Sequence, residues 1–295
     1  CATFEVGPIS GRCRMTIRET GRLLRSGKLS CVELLQQTLA DVKTRDVFRT
    51  LITLTEEDAL NEAAERDKEF AAGVDRGPFH GIPTAYKDLF YTRGVRTTGG
   101  SLLFRSFVPE YDATVVRKLK AAGAISIGKS NLHELAYGIT SRNPHYGCVL
   151  NPRDTNRIPG GSSGGSAALV AAGFLPMALG TDTGGSIRIP ASYCGVTGLK
   201  PTYGLVSRHG VLPLAFSLDH VGPLGSCVED CALTMNEIAG PDPLDRTCAP
   251  FPSPEFNLPP LVDLKEVRVG IPKNFYFDCI DDEVATAVKL SLIHI

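Results

Sequence analysis

Apolar positions recur along this 295-residue chain with two alternating periods. Ser30-Cys31-Val32-Glu33 is a helix-opening capping pattern, and Leu34, Leu35, Leu39 and Val42 follow it at helical spacing. Met15 opens an earlier helix. Thr55-Glu56-Glu57-Asp58 opens a polar-faced one reaching about Ala72. The stretch from Asp112 to Ala122 is a further helix, closed by Gly123 at the C′ position. Short apolar runs lie between these at 50–54, 80–87, 124–128, 176–180 and 267–271, each of strand length. The second carries Pro83 near its start, a place a strand tolerates. Ser166 to Gly173 reads as a helix of small residues, and a last helix starts near Asp281. Helices alternating with short strands predict an α/β fold around a central sheet. From Gly240 to Pro260 proline and acidic residues thicken, which predicts a long surface connection.

Composition narrows the function classes. With 43% hydrophobic and 21% charged residues the chain is an ordinary globular sequence, long enough to bury a substantial core. Its formal charge of -1 gives no single-sign surface, so neither nucleic acid nor a membrane is expected as a direct partner. No apolar run is long enough to span a bilayer, and no basic-then-apolar leader is visible. The nine cysteines are odd in number and scattered. Cys227 and Cys231 share one helical face, but no second ligand pair follows them, so ordinary thiols, no metal and a reducing cytoplasm are expected. The chain begins at Cys1 and stops part-way through its last helix. Residues 1–14 therefore read as an extraneous or disordered extension, and 15–295 as one domain, incomplete at its C-terminus.

Two glycine-serine loops carry the chemistry, residues 160–166 (Gly-Gly-Ser-Ser-Gly-Gly-Ser) and 181–188 (Thr-Asp-Thr-Gly-Gly-Ser-Ile-Arg). Glycine lets a ligand reach backbone N–H groups and permits positive φ. Serine supplies a nucleophile, and Lys87 on the upstream strand supplies a base if it is desolvated. These parts suit acyl transfer without a metal or a histidine. Asp88 follows Lys87, but successive strand side chains point to opposite faces, so the two are not expected to pair. Asp182 and Arg188 flank the second loop with opposite charges, as a structural brace would.

The run from Pro159 to Pro201, with these loops and Cys194-Gly195-Val196-Thr197-Gly198-Leu199-Lys200-Pro201, resembles the amidase signature family. The similarity extends from about Met15 to Ala287. It implies a twisted mixed sheet covered by helices, here truncated at the C-terminus. It also implies a Ser-cisSer-Lys triad of Ser186 as nucleophile, Ser162 as relay after a cis Gly161–Ser162 bond, and Lys87 as base. These positions lie 75 and 24 residues apart, as in the family pattern. The resemblance further implies an oxyanion hole from the N–H groups of Thr183, Gly184, Gly185 and Ser186, and an acyl pocket lined by Ala136, Tyr137 and Gly138. Tyr137 reads equally well as a packed aromatic.

The activity implied is cleavage of a small-molecule carboxamide through an acyl-enzyme, releasing ammonia or an amine with no cofactor. Segment 131–138 is closer to a stand-alone amidase, with a homodimer compatible. The alternative is the glutaminase component of a glutamyl-tRNA(Gln)/aspartyl-tRNA(Asn) amidotransferase, with its partner subunits. A truncated chain that folds poorly or only binds a ligand is the non-enzymatic alternative. Rival motifs are weaker. No Lys-Ser/Thr follows the first loop as a phosphate-binding loop requires. His133-Glu134 lacks the second histidine of a zinc hydrolase. Gly-x-Ser-x-Gly at 160–164 and 161–165 would need Asp219-His220 as its acid and base.

Overall fold

Ser30 caps its helix as the pattern demands: its hydroxyl accepts from the Glu33 N–H, and the Glu33 carboxylate accepts the Ser30 N–H. The computed structural model describes residues 15–257 and 267–294, so residues 1–14, expected to be an extension, lie outside the described residues. Contacts divide the chain into two units, Cys1–Asn257 and Leu258–Ile295.

The first unit runs α1 (Ile17–Arg25), α2 (Cys31–Thr44), β1 (Leu51–Leu54), α3 (Glu56–Ala71), β2 (Pro83–Lys87), α4 (Thr114–Ala121) and β3 (Ile125–Ser130). It continues with α5 (Gly164–Ala171), β4 (Met177–Asp182), α6 (Arg188–Cys194), β5 (Thr197–Gly198), β6 (His220–Gly225) and α7 (Val228–Ile238). The six strands form one mixed sheet in the order β1-β3-β2-β4-β6-β5. β2 is parallel to β3 and β4, and the outer pairings are antiparallel. Every residue of the parallel trio is buried, as parallel strands covered on both faces require.

α5 is buried along its whole length, so its Gly-Ser-Ala sequence serves close packing on β4 rather than an amphipathic surface. Around these strands Ile82, Tyr86, Ile125, Ile127, Leu169 and Leu179 join one core with Leu35 and Leu39 of α2. Each such side chain contributes about 1.5–3 kcal/mol on leaving water. Among the described residues no helix is long and apolar enough to cross a membrane.

Two expectations are corrected, and one strand goes unforeseen. Residues 267–271 form no strand: Val267, Val269 and Ile271 are more than half exposed, and among the described residues none pairs with them. The second unit's helix is α8 (Asp282–His294). The connection after Gly240 is not wholly on the surface, because buried Asp242 accepts from Thr114 and Ser207 at 2.6 Å each. Residues 258–260 of that connection lie outside the described residues. Finally, β6 escapes the sequence pattern because its His-Val-Gly-Pro-Leu-Gly reads as turn material. It nevertheless pairs with β4 along the full length of both strands.

Candidate active site

In a parallel sheet the carboxyl ends of adjacent strands open onto a common crevice, where loops converge. Lys87 ends β2, Ser130 ends β3, and Thr181-Asp182 end β4. Lys87 is fully buried, and its Nζ lies 2.7 Å from the Ser162 Oγ and 2.7 Å from the Thr181 Oγ1. Burial pulls its ammonium down from the usual lysine range to about 7, against the upward pull of the Asp182 and Asp219 carboxylates. An amine in that range is substantially neutral at pH 7. Its lone pair can then accept the Ser162 proton while an N–H donates to Thr181. Thr181 stands in the motif, yet no local signal pairs it with a lysine 94 residues away.

The first loop is stapled to β4 by its serines. Ser163 Oγ donates to the Thr181 carbonyl and accepts the Thr181 N–H, while Ser166 Oγ donates to the Leu179 carbonyl and meets Ser130 Oγ at 2.6 Å. The Gly161–Ser162 peptide bond is cis. The second loop reaches the first through the Ser163 N–H, which donates to the Ser186 carbonyl at 3.2 Å. Ser186 is nearly buried, and among the described residues its hydroxyl forms no hydrogen bond, to Ser162 or otherwise. Hydrogen bonds at catalytic sites commonly tighten only when substrate arrives.

Asp182 organises the second loop. Its buried carboxylate accepts the N–H groups of Gly185, Ile187 and Arg188 and a two-pronged contact from the Arg188 guanidinium at 3.0 Å each. Burial raises this carboxyl, but the hydrogen bonds prevail and hold it below the ordinary carboxylate range. The brace between Asp182 and Arg188 is therefore a loop clamp. It also alters the expected oxyanion set, because the Gly185 N–H is already committed to Asp182. Gly185 sits at φ 126°, a conformation that side chains rarely adopt. Among the described residues the N–H groups of Thr183, Gly184 and Ser186 have no acceptor.

Asp88 turns away from Lys87 as alternation requires. It meets Lys129 Nζ at 3.3 Å, both groups fully buried, and accepts the Thr98 N–H and hydroxyl. Burial draws Lys129 down to about 8 against the opposing pull of Asp88. This second buried lysine has no motif signal. It donates to the Phe90 carbonyl and Thr97 hydroxyl, contacts formed only by the folded chain.

The segment 136–138 divides. Ala136 packs with Leu89 and Leu132, Tyr137 is 80% exposed, and the His133 ring lies directly on Gly138. Tyr137 is therefore not a packed aromatic. A cleft of about 250 Å³ opens beside Thr181 and is walled by Leu89, Leu212, Phe216, Asp219 and His220. None of residues 136–138 lines it. Asp219 accepts from the Thr183 hydroxyl and the Leu214 and Ala215 N–H groups. His220 faces the Asp182 carbonyl through Nδ1 and Lys200 through Nε2. With both ring nitrogens engaged there, His220 is not the base of a serine-histidine site.

The amidase family model matches residues 33–294. The glutamyl-tRNA(Gln) amidotransferase A chain of Chromohalobacter salexigens is 47% identical over 275 residues, covering 93% of this chain and 56% of that protein. The native peptide amidase of Stenotrophomonas maltophilia is 40% identical and superposes with a TM-score of 0.80 over 85% of this chain and 53% of that one. The corresponding amidotransferase protein of Thermotoga maritima is 42% identical with a TM-score of 0.69, over 82% and 51%. The chain thus spans a little over half the length of these relatives.

Proposed function

The chain belongs to the amidase signature family, and from that premise we propose that it carries the catalytic residues of an amide hydrolase acting through Ser186, Ser162 and Lys87. One observation carries this reading: a fully buried lysine amine in contact with the hydroxyl of the cis-linked serine. Neutral Lys87 takes the Ser162 proton, Ser162 takes that of Ser186, and the Ser186 Oγ attacks the amide carbon. Negative charge developing on the carbonyl oxygen meets the N–H groups of Thr183, Gly184 and Ser186. A single donor of this kind is worth about 2.7–4 kcal/mol. The proton returns through Ser162 to the leaving nitrogen, the C–N bond breaks, and water then cleaves the acyl-enzyme. The products are a carboxylic acid and ammonia or an amine.

The substrate is a small carboxamide whose side group enters the largely apolar cleft beside Thr181. The compartment in this reading is the cytoplasm, where buried thiols such as Cys31, Cys194 and Cys231 stay reduced. A second reading is favoured by the 47% identity to the amidotransferase protein: the carboxamide is that of glutamine, and the ammonia passes to a partner protein. Glutaminase activity stimulated by charged tRNA together with a co-purifying partner selects that reading.

A fluorophosphonate probe followed by peptide mapping tests the reaction class. Labelling at Ser186 that disappears in Ser186→Ala is expected; labelling elsewhere, or none in a chain that melts cooperatively, contradicts it.

A further inference from the structure

The strap between Leu132 and Asn143 has an unusual backbone. Leu135, Ala136 and Ser141 all take positive φ, at 50°, 59° and 52°. Non-glycine residues adopt that region only where their surroundings enforce it, and such positions gather at functional sites. Here the enforcement is visible. Leu135 N–H donates to the Gly99 carbonyl at 2.7 Å, and Val149 N–H to the Ser141 carbonyl at 3.1 Å. The buried Asn143 amide donates to the Gly100 and Leu132 carbonyls and accepts the His145 and Tyr146 N–H groups.

What this strap holds is the relay serine. The Ser162 carbonyl accepts the His133 N–H at 3.1 Å and the Ser141 hydroxyl at 3.4 Å. The same Ser141 oxygen accepts the Gly164 N–H at 3.1 Å, so one fully buried hydroxyl grips the loop on both sides of Ser163. The fit leaves no space. A Cβ at Gly164 would lie 2.2 Å from the Ser141 Oγ, and one at Gly161 2.9 Å from backbone atoms of residues 139–141.

We propose that Ser141 is a positioning residue that sets the orientation of Ser162 by gripping its carbonyl and the next turn of the loop. The inference rests on the hydrolase reading above. Ser141 touches no reacting atom. It acts by fixing the peptide that carries the Ser162 side chain, whose oxygen must face Lys87 and Ser186 together. A bare structural role for Ser141, as a cap on the first turn of α5, would lower stability without regard to whether Ser162 has its hydroxyl.

The experiment is a double-mutant cycle on the rate of Ser186 labelling by a fluorophosphonate at pH 8, with each variant's melting temperature measured alongside. Ser141→Ala is expected to slow labelling about 10-fold or more, since small misplacements of a catalytic group cost factors of that order. In a Ser162→Ala background the same change is expected to alter the rate less than about 2-fold, because its target is gone. Equal factors in both backgrounds, or labelling of Ser141→Ala within about 2-fold of the parent, overturn the proposal.

A second measurement needs no reactive nucleophile. In chain labelled with carbon-13 lysine, the Lys87 ε-carbon midpoint is expected to move by at least about half a pH unit in Ser141→Ala and to stay fixed in the Ser162→Ala background. An unmoved midpoint in both backgrounds counts against it. Full labelling in Lys87→Ala or Ser162→Ala variants sinks the hydrolase reading instead, which keeps the two failures distinct.

Discussion

The sharpest consequence of the buried amine is an acid limb in the pH dependence of reactivity. Lys87 must be neutral to draw a proton from Ser162, and burial brings its ammonium to about 7. The neutral fraction is then roughly 1% at pH 5, about 10% at pH 6, one half at pH 7 and about 99% at pH 9. The Ser186 labelling rate, or kcat/KM for a cleaved amide, should rise tenfold per pH unit below about 6.5 and level off above 8. From pH 5 to pH 9 the total gain is roughly 100-fold. The assay is second-order labelling followed by intact mass across that range, with Lys87→Ala as control, expected to be slow and without the limb. A midpoint near 10, the value of a solvated lysine, would show that the amine is not desolvated. A profile flat from 5 to 9 would falsify lysine as the base.

Other consequences follow from the same contacts. Thr181→Val removes one acceptor of the Lys87 ammonium in a buried place, disfavouring the charged form, so the limb midpoint should move to lower pH; an upward move contradicts the assignment. Lys87→Met should slow labelling as Lys87→Ala does, yet stabilise the fold. The unfolded lysine binds its proton up to about 10.5 and the folded one only up to about 7, so the lysine's cost is full below pH 7 and fades as pH rises towards 10.5. After the two lost hydrogen bonds are counted, about 2–3 kcal/mol remains. That is a gain of about 5 °C in melting temperature at pH 6, shrinking by pH 9; a lower melting temperature at pH 6 counts against it. Asp182→Ala strips three N–H groups of their acceptor and frees Arg188, so denaturant melts should show a loss of about 3 kcal/mol or more. Labelling should fall at least about 100-fold, and an unchanged rate would remove Asp182 from its organising role. Lys129→Met takes the ammonium away from buried Asp88, whose carboxylate must then sit uncompensated or take up a proton. About 3–5 kcal/mol of stability should disappear, partly restored by adding Asp88→Asn, and a loss below about 1 kcal/mol would mean the pair matters little.

Much of this molecule is written locally. The capping box at Ser30, the apolar runs at 80–87, 124–128 and 176–180, and the two glycine loops all depend on residues within a few positions of one another. Side-chain alternation along β2 likewise separates Lys87 from Asp88 within the strand. Period and backbone permissiveness belong to the chain itself, so sequence decides which pieces form and which residue types they carry.

Partnership is a different matter. β6, with Pro223 and two glycines, is a strand because β4 offers it a ladder, whereas 267–271 has the better strand pattern and, among the described residues, no ladder. Thr181 beside Lys87, Lys129 behind Asp88, Asp182 on the Gly185 N–H and Ser141 on the Ser162 carbonyl bring together groups the sequence pattern left unpaired. Several are separated by 20 or more residues. The depressed lysine shows the division most plainly. Sequence determined that a lysine ends a buried strand, but only the packed sheet, by excluding water on every side, decided that its amine would sit near neutrality with a serine oxygen against it.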